Sequence, residues 1–197
     1  MTKHYRIKPG YTINPNPDYD REHCITDNYQ DEVYKTGLDL LRMSNLQSVL
    51  DLGTGRAYKL LKYFHHVRTL GIDLPPTVQW LKSREGYPTR SWAAWPLPAP
   101  KDYELLICAD VIEHVVDPDQ ICEFIKEVNP KFAIISTPDR DLLRHRECDD
   151  GPPFNGCHVR EWSFQEFRAY MSDHFHVLAH WYPNHGQACQ AVTVEIA

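Results

Sequence analysis

The stretch SVLDLGTGRAYKLL, residues 48 to 61, joins three local patterns that decide the fold. Its first five residues are mostly apolar and predict a buried strand. Gly53 and Gly55 follow Asp51 and predict a tight turn, after which leucines and an aromatic residue mark one side of a helix. A strand, a glycine turn and a helix together place backbone N–H groups and a helix N-terminus beside open space. Such a turn is typical of a site for a nucleotide-like ligand.

Apolar and amphipathic segments alternate along the rest of the chain. Buried strands are predicted at residues 47–52, 67–74, 87–94, 103–110 and 131–138. Helices are predicted at residues 31–43, from the turn to about residue 64, from residue 75 onward, and at 117–128 and 163–171. Asp117 with Pro118 is a typical helix start, and Ser163 with Glu166 has the spacing of a capping box. Two β segments then surround a Pro-Asn-His-Gly turn at residues 183–186.

Near-continuous apolar strands that alternate with helices predict an α/β fold whose mostly parallel sheet is covered on both faces. The last two β segments are close in sequence and predict an antiparallel hairpin on that sheet. The length of 197 residues suits one domain. We expect residues 31–197 to form this domain and residues 1–30, which show no clear period, to form an N-terminal arm or lid.

Composition and charge narrow the class of partner. The net charge is −6 with histidines counted as neutral, which argues against nucleic acid or an anionic membrane as the main partner. The six cysteines include no C-x-x-C pair, so a cysteine zinc site is not expected. No signal-peptide pattern or membrane-spanning apolar run occurs, and we expect a cytoplasmic protein with reduced cysteines. The basic cluster Arg140, Arg144 and Arg146 is predicted to be a solvated helix face.

The spacing of the glycine turn excludes two common nucleotide sites. A dinucleotide site needs a third glycine three residues after Gly55, and Tyr58 stands there instead, which argues against a bound pyrophosphate. A P-loop is excluded because no G-K-[ST] follows the turn.

The pattern D-x-G-x-G-x-A at Asp51, Gly53 and Gly55 instead resembles motif I of class I S-adenosylmethionine-dependent methyltransferases. Asp73 at the end of the second strand agrees with this, because a carboxylate there can accept hydrogen bonds from vicinal ribose hydroxyls. The segment CADVIEHVVDPD after the fourth strand also resembles these enzymes, with Asp110 lining the cofactor pocket. The resemblance covers roughly residues 46 to 138. It implies a Rossmann-like three-layer sandwich with a seven-stranded sheet and S-adenosylmethionine as cofactor.

The adenine side departs from the family pattern. Family members often carry an acidic residue after the third strand, whereas SWAAWPLPAP contains none, and Trp92 or Ala94 would hold that place. The resemblance further implies that an arm closes over the cofactor, for which Tyr29 and Gln30 are the candidate contacts.

The segment ADVIEHV allows three interpretations. Asp110 lines the cofactor pocket while Glu113 and His114 support the turn; or His114 is a general base for an acceptor hydroxyl; or Asp110, Glu113 and His114 bind a divalent metal. Ubiquinone-type O-methyltransferases show a similar D/E-x-x-E-H segment, and some of their relatives depend on metal.

A second candidate centre is GPPFNGCHVREWSF, residues 151 to 164, in a loop expected to cover the acceptor side. His158 could be the base, and Arg160 could pair with a carboxylate or phosphate of the substrate. Alternatively, Arg160 and Glu161 form a salt bridge and Trp162 packs before the capping Ser163. H-V-R-E-W also resembles a segment of methyltransferases associated with glycosyltransferases.

We therefore expect in-line methyl transfer to a hydroxyl of a small molecule, sugar or natural product, with His158, His114 and Arg160 as candidate catalytic residues. Two alternatives remain. The chain could be a non-catalytic S-adenosylmethionine-binding or partner protein, or it could be a methyltransferase that uses a metal bound by Asp110, Glu113 and His114. The absence of an N/D-P-P-Y/F motif after the fourth strand argues against nucleic-acid methylation.

Overall fold

The computed structural model describes residues 4–18, 29–84, 91–143 and 150–196, which form an alternating series of helices and strands. The helices are α1 (Asp31–Met43), α2 (Tyr58–Phe64), α3 (Pro75–Ser83), α4 (Asp119–Val128), α5 (Arg140–Leu143) and α6 (Phe164–His174). The strands are β1 (Ser48–Leu52), β2 (Arg68–Asp73), β3 (Ser91–Ala94), β4 (Leu105–Ala109), β5 (Phe132–Pro138), β6 (His176–Asn184) and β7 (Cys189–Glu195).

The seven strands form one sheet in the order β3-β2-β1-β4-β5-β7-β6. Strands β1 to β5 are parallel, and β7 runs antiparallel to both β5 and β6. The predicted mostly parallel sheet with an antiparallel C-terminal hairpin is thus confirmed. The strand order reverses between β1 and β4, and ligands of open α/β sheets bind outside the carboxyl ends of the strands at such a point.

Two buried clusters lie on opposite faces of the sheet and make the fold three-layered. Neighbouring residues of β1 point to opposite sides, because Leu50 belongs to one cluster and Val49 to the other. Helices α4 and α6 cover the first face, and α1, α2 and α3 cover the second. Helix α1 comes close to β4 at Gly37, where an added Cβ would lie 3.0 Å from the Cδ1 atom of Ile107.

The described part of the N-terminal arm, residues 4–18, runs along the loop that precedes α6. Two backbone N–H groups of the arm donate hydrogen bonds to this loop. The Thr12 N–H donates to the Asp150 carbonyl at 2.6 Å, and the Asn14 N–H donates to the Val159 carbonyl at 2.8 Å. The indole N–H of buried Trp162 donates to the Tyr5 carbonyl at 2.9 Å. The arm therefore supports the predicted acceptor side. Residues 19–28 lie outside the described ranges, and the division of the chain at residue 30 stays a prediction.

Some local expectations need correction. Helix α4 begins at Asp119 rather than at Pro118, although the Asp117 carboxylate still accepts the Asp119 N–H at 3.2 Å. Arg140 is buried rather than solvated, because its guanidinium pairs with the Glu166 carboxylate at 2.7 Å. Arg144 and Arg146 lie outside the described ranges.

One other local expectation is confirmed. The capping box of Ser163 and Glu166 is present at the start of α6. Cys108 and Cys122 are buried free thiols. Among the helices of the described ranges, none combines the length and the hydropathy needed to cross a bilayer.

Replacement of Gly53 by alanine should destabilise the fold. Gly53 has a φ of 76°, and an added Cβ would lie 2.2 Å from the Cγ2 atom of Val111. Strain and overpacking should lower the free energy of unfolding by about 1–3 kcal/mol, and each kcal/mol lowers Tm by roughly 2–4 °C at this chain length. Thermal denaturation checks this, with Gly156→Ala as the control because nothing lies within 4 Å of its added Cβ. Equal Tm values for the two variants would contradict the prediction.

Candidate active site at the carboxyl ends of the strands

Asp51 holds the glycine turn from inside the protein. It is fully buried, and its two carboxylate oxygens accept hydroxyl hydrogen bonds from Tyr34 at 2.9 Å and Thr54 at 2.8 Å. Burial raises the pKa of the Asp51 carboxyl to about 6. Because both oxygens accept hydrogen bonds from protein hydroxyls, one of them from Thr54 in the turn itself, Asp51 shapes the turn.

Asp73 ties the glycine turn to the end of β2. One carboxylate oxygen accepts the Gly55 N–H at 2.7 Å, and the other accepts the Leu74 N–H at 2.7 Å. A carboxylate oxygen has two lone pairs, so each oxygen can accept one more hydrogen bond. The half-buried Asp73 can therefore meet vicinal hydroxyl groups of a ligand while it holds the turn.

Where the family pattern predicts the adenine contact, Trp92 pairs with Gly71 across β3 and β2, and its ring lies over this glycine. An added Cβ at Gly71 would come within 2.7 Å of the Trp92 ring, so the glycine makes room for the indole. Ala94 is the register partner of Asp73, and the next residue, Trp95, donates its N–H to the Asp73 carbonyl at 2.8 Å. Of the two candidates, Ala94 lies next to Asp73.

Gln30 and Asp110 lie at the end of β4. Gln30 precedes α1 with a φ of 59°, and its side-chain amide donates to the Ala109 carbonyl at 3.4 Å. Asp110 also has a positive φ, 51°, and its carboxylate accepts the Ser136 hydroxyl at 2.6 Å. Tyr29 is 43% exposed. The structure thus places Gln30 and Asp110 on one edge of the crevice.

Glu113 and His114 lie on a single 3-10 turn, Ile112–His114, which follows β4. Glu113 is 1% exposed and accepts the Thr137 hydroxyl at 3.1 Å. His114 donates its Nδ1–H to the Cys157 carbonyl at 2.9 Å, so Nε2 carries the lone pair. Nε2 lies 3.7 Å from a Glu113 carboxylate oxygen. Burial and the nearby His158 lower the pKa of His114 to about 4, so the imidazole is neutral at pH 7.

His158 comes from the loop after β5 and is 6% exposed. Its Nδ1 lies 2.9 Å from a carboxylate oxygen of Glu161, and its Nε2 lies 2.9 Å from the side-chain nitrogen of Asn155. Its ring centroid is 4.9 Å from that of His114. The Glu161 carboxylate can only accept, so Nδ1 carries the proton and Nε2 has the lone pair.

Glu113, His114 and His158 form a cluster that could hold a metal ion: each offers one ligand atom, and these atoms lie within 4.8 Å of one another. In a shell with ligand bonds of about 2.1 Å, neighbouring ligand atoms are roughly 3.0–4.2 Å apart. The cluster differs from the set predicted from sequence, since His158 takes the place of Asp110, whose carboxylate is bonded to Ser136.

Arg160 lies beneath the site rather than in it. It is 1% exposed, and its guanidinium donates to the carbonyls of Val115 at 2.7 Å and Val116 at 2.6 Å. It also lies over the Tyr5 ring at 4.7 Å. These contacts hold the chain after His114 and do not direct the guanidinium toward a carboxylate or phosphate of a substrate. The alternative, a salt bridge to Glu161, is replaced by the contact between Glu161 and His158.

Sequence reasoning missed the roles of Glu161 and Asn155, which contact opposite sides of the His158 ring. The spacing of Glu161 three residues after His158 was a usable signal once His158 was a candidate. Asn155 gave no such signal, because a Pro-Pro-Phe-Asn-Gly stretch is typical of any turn.

The order of the strands is that of the Rossmann-like methyltransferase fold. No protein-family profile and no curated protein matches the chain. Similar solved structures include the methyltransferase domain of bacterial CtHen1-C, with 19% identity, a TM-score of 0.65 and coverage of 86% of this chain and 100% of that one.

Two further structures show the range of proteins with this fold. The small RNA methyltransferase HEN1 has 20% identity and a TM-score of 0.61, over 85% of this chain and 25% of that one. Magnesium protoporphyrin IX methyltransferase (ChlM) from Synechocystis PCC 6803, with bound SAH, has 13% identity and a TM-score of 0.61, over 85% and 84%.

Replacement of Tyr34 by phenylalanine should raise the pKa of Asp51 above about 6, because the charged carboxylate loses a hydrogen bond. The loss of a bond to a buried charged group should cost about 1.5–3 kcal/mol of stability at pH 7.5. The cost should be smaller at pH 4.5, where Asp51 is protonated. Thermal denaturation at both pH values and carboxyl NMR check this, with Tyr58→Phe on the exposed start of α2 as the control. A cost that does not change with pH would contradict it.

Proposed function

We propose that this chain is an S-adenosylmethionine-dependent methyltransferase. The observation that carries the proposal is the pairing of Asp73 with the Gly55 N–H, which presents a carboxylate and a glycine turn together where the strand order reverses. When bound, S-adenosylmethionine supplies an electrophilic methyl group on a sulfonium. The likeness to methyltransferase structures supports the proposal at the level of the fold.

The residues of the crevice take complementary roles in holding this cofactor. Gly53 and Gly55 allow the backbone to approach the ligand, and Asp73 accepts hydrogen bonds from the ribose hydroxyls. Gln30 and Asp110 line the edge at β4, with exposed Tyr29 beside them. Asp51 acts from behind the turn through Tyr34 and Thr54.

We further propose that Glu113, His114 and His158 hold a divalent cation on the acceptor side. Two imidazoles and one carboxylate suit Zn²⁺, Mn²⁺ or similar ions and leave coordination positions open. A cation there lowers the pKa of a bound hydroxyl. His114 presents a neutral Nε2 and Glu161 orients His158, as ligating histidines require. Arg160 is a positioning residue in this arrangement.

A second way to remove the acceptor proton is also supported by one observation. The contact of 2.9 Å between Glu161 and His158 Nδ1 orients the imidazole as a carboxylate orients a general base. In this version Nε2 takes the proton directly and no cation is needed.

The acceptor that we propose is a hydroxyl group of a small molecule, a sugar or a natural product. A ribose hydroxyl of RNA is a second candidate, favoured by the likeness to a small RNA methyltransferase and opposed by the net charge of −6. A methyl-transfer assay that includes both small polyols and short RNA oligonucleotides separates these classes.

Calorimetric titration should show micromolar binding of S-adenosylmethionine and S-adenosylhomocysteine, and Asp73→Ala should weaken it at least tenfold. The reason is that this variant loses both the ribose contact and the bond that holds the Gly55 N–H. Asp39→Ala, on the exposed side of α1, is the matched control and should bind as the wild type does. No binding to the folded wild type would overturn the methyltransferase proposal.

Titration with Mn²⁺ or Zn²⁺ should show one site that His114→Ala weakens at least tenfold, because one of three protein ligands is lost. His176→Ala, at an exposed histidine of β6, should leave the affinity unchanged. Chelation should then stop methyl transfer without weakening S-adenosylhomocysteine binding. Full turnover in chelator, together with loss of turnover in Glu161→Gln, would favour the general-base version instead.

A further inference from the structure

We propose that the side-chain amide of Asn155 is a displaceable cap on His158. It contacts the Nε2 atom of this histidine and must leave when a divalent cation binds there. The inference rests on the cation site proposed above and adds a residue that regulates access to it.

The directions of three hydrogen bonds determine the identity of the capping atom. The Cys157 N–H donates to Asn155 Oδ1 at 3.0 Å, so this oxygen faces the backbone. Asn155 Nδ2 therefore points at His158 Nε2, at 2.9 Å. His158 donates its Nδ1 proton to Glu161, so Nε2 can only accept. The lone pair that a cation needs is thus occupied by an amide N–H.

The two sides of His158 differ in how easily they can move. Glu161 is 1% exposed, and its own N–H donates to the Tyr11 hydroxyl at 2.9 Å. Asn155 is exposed, and the residue after it, Gly156, has nothing within 4 Å of its Cβ position. The amide can therefore turn into solvent without a change in the core, while Glu161 keeps the ring in place.

Release of the cap exposes a site that already has nearly the required size. The ligand atoms of Glu113, His114 and His158 lie within 4.8 Å of one another, and two ligands of one cation need at most about 4.2 Å. The Asn155 amide therefore competes directly with a cation for the lone pair of His158 Nε2. Its removal should favour binding, since the amide bond no longer has to be broken.

The test is calorimetric titration of Mn²⁺ into the wild-type chain and the variants Asn155→Ala and Asn155→Asp. Asn155→Ala should bind Mn²⁺ about fivefold more tightly, the fold-change for loss of one neutral hydrogen bond. Asn155→Asp keeps an oxygen for the Cys157 N–H and removes the donor, so it should bind at least as tightly. ¹⁵N NMR of the cation-free protein should show the His158 Nε2 resonance shift in both variants.

Asn14→Ala is the matched control. Its amide donates to the Gly156 carbonyl at 2.8 Å, so the variant loosens the same loop without a change at His158 Nε2. It should bind Mn²⁺ with the affinity of the wild type.

The possible outcomes separate the two proposals. If the wild type binds Mn²⁺ and Asn155→Ala binds equally or more weakly, the cap is wrong while the cation site stands, and weaker binding identifies Asn155 as a ligand. If neither protein binds Mn²⁺, both proposals are wrong. Tighter binding by Asn14→Ala as well would assign the effect to the loop, which would also overturn the cap.

Discussion

The geometry of the site depends on two of the hydrogen bonds that join the turn after β4 to the loop after β5. The Glu113 carbonyl accepts the Val159 N–H at 2.8 Å, and His114 Nδ1 donates to the Cys157 carbonyl at 2.9 Å. Each bond joins a backbone group beside His158 to one of the other two members of the cluster. Side chains from two strand ends therefore meet at fixed distances, although 43 residues separate His114 from Cys157 in the sequence.

Two buried arginines, Arg160 and Arg140, hold the turn after β4 and the loop after β5 in place. Arg160 satisfies two backbone carbonyls after His114, and Arg140 donates to the Glu161 carbonyl at 3.1 Å and pairs with Glu166. A buried guanidinium is costly unless its N–H groups find acceptors, and most of these acceptors are backbone carbonyls of the site itself. The backbone carbonyls of the site therefore satisfy the arginines, and the arginines in turn hold these carbonyls in place. Tyr5 and Tyr11 of the arm cover the two guanidinium groups.

Local patterns predicted the fold well, since strands of apolar residues and a capping box depend on neighbours in sequence. The bounds of α1 followed from hydrophobic periodicity, and the tight turn followed from Gly53 and Gly55. Arg140 was wrongly predicted to be solvated, and the burial of Arg160 was not foreseen, because burial of a charge depends on acceptors supplied from distant segments. The cluster was only partly predictable for the same reason: Glu113 and His114 share a motif, but His158 joins them through the order of the strands, which also leaves Asp110 bonded to Ser136.

The contacts of the site divide into fixed and displaceable ones, and burial decides which is which. Asp51, Glu113 and Glu161 are buried acceptors whose hydroxyl and imidazole donors cannot leave without exposing an unpaired charge to a low dielectric. Asp73 and Asn155 have access to solvent, where water can replace a lost partner at little cost. In the function that we propose, ligand hydroxyls use the remaining lone pairs of Asp73 and a cation takes the place of the Asn155 amide, while the buried contacts keep the two sites at a fixed spacing.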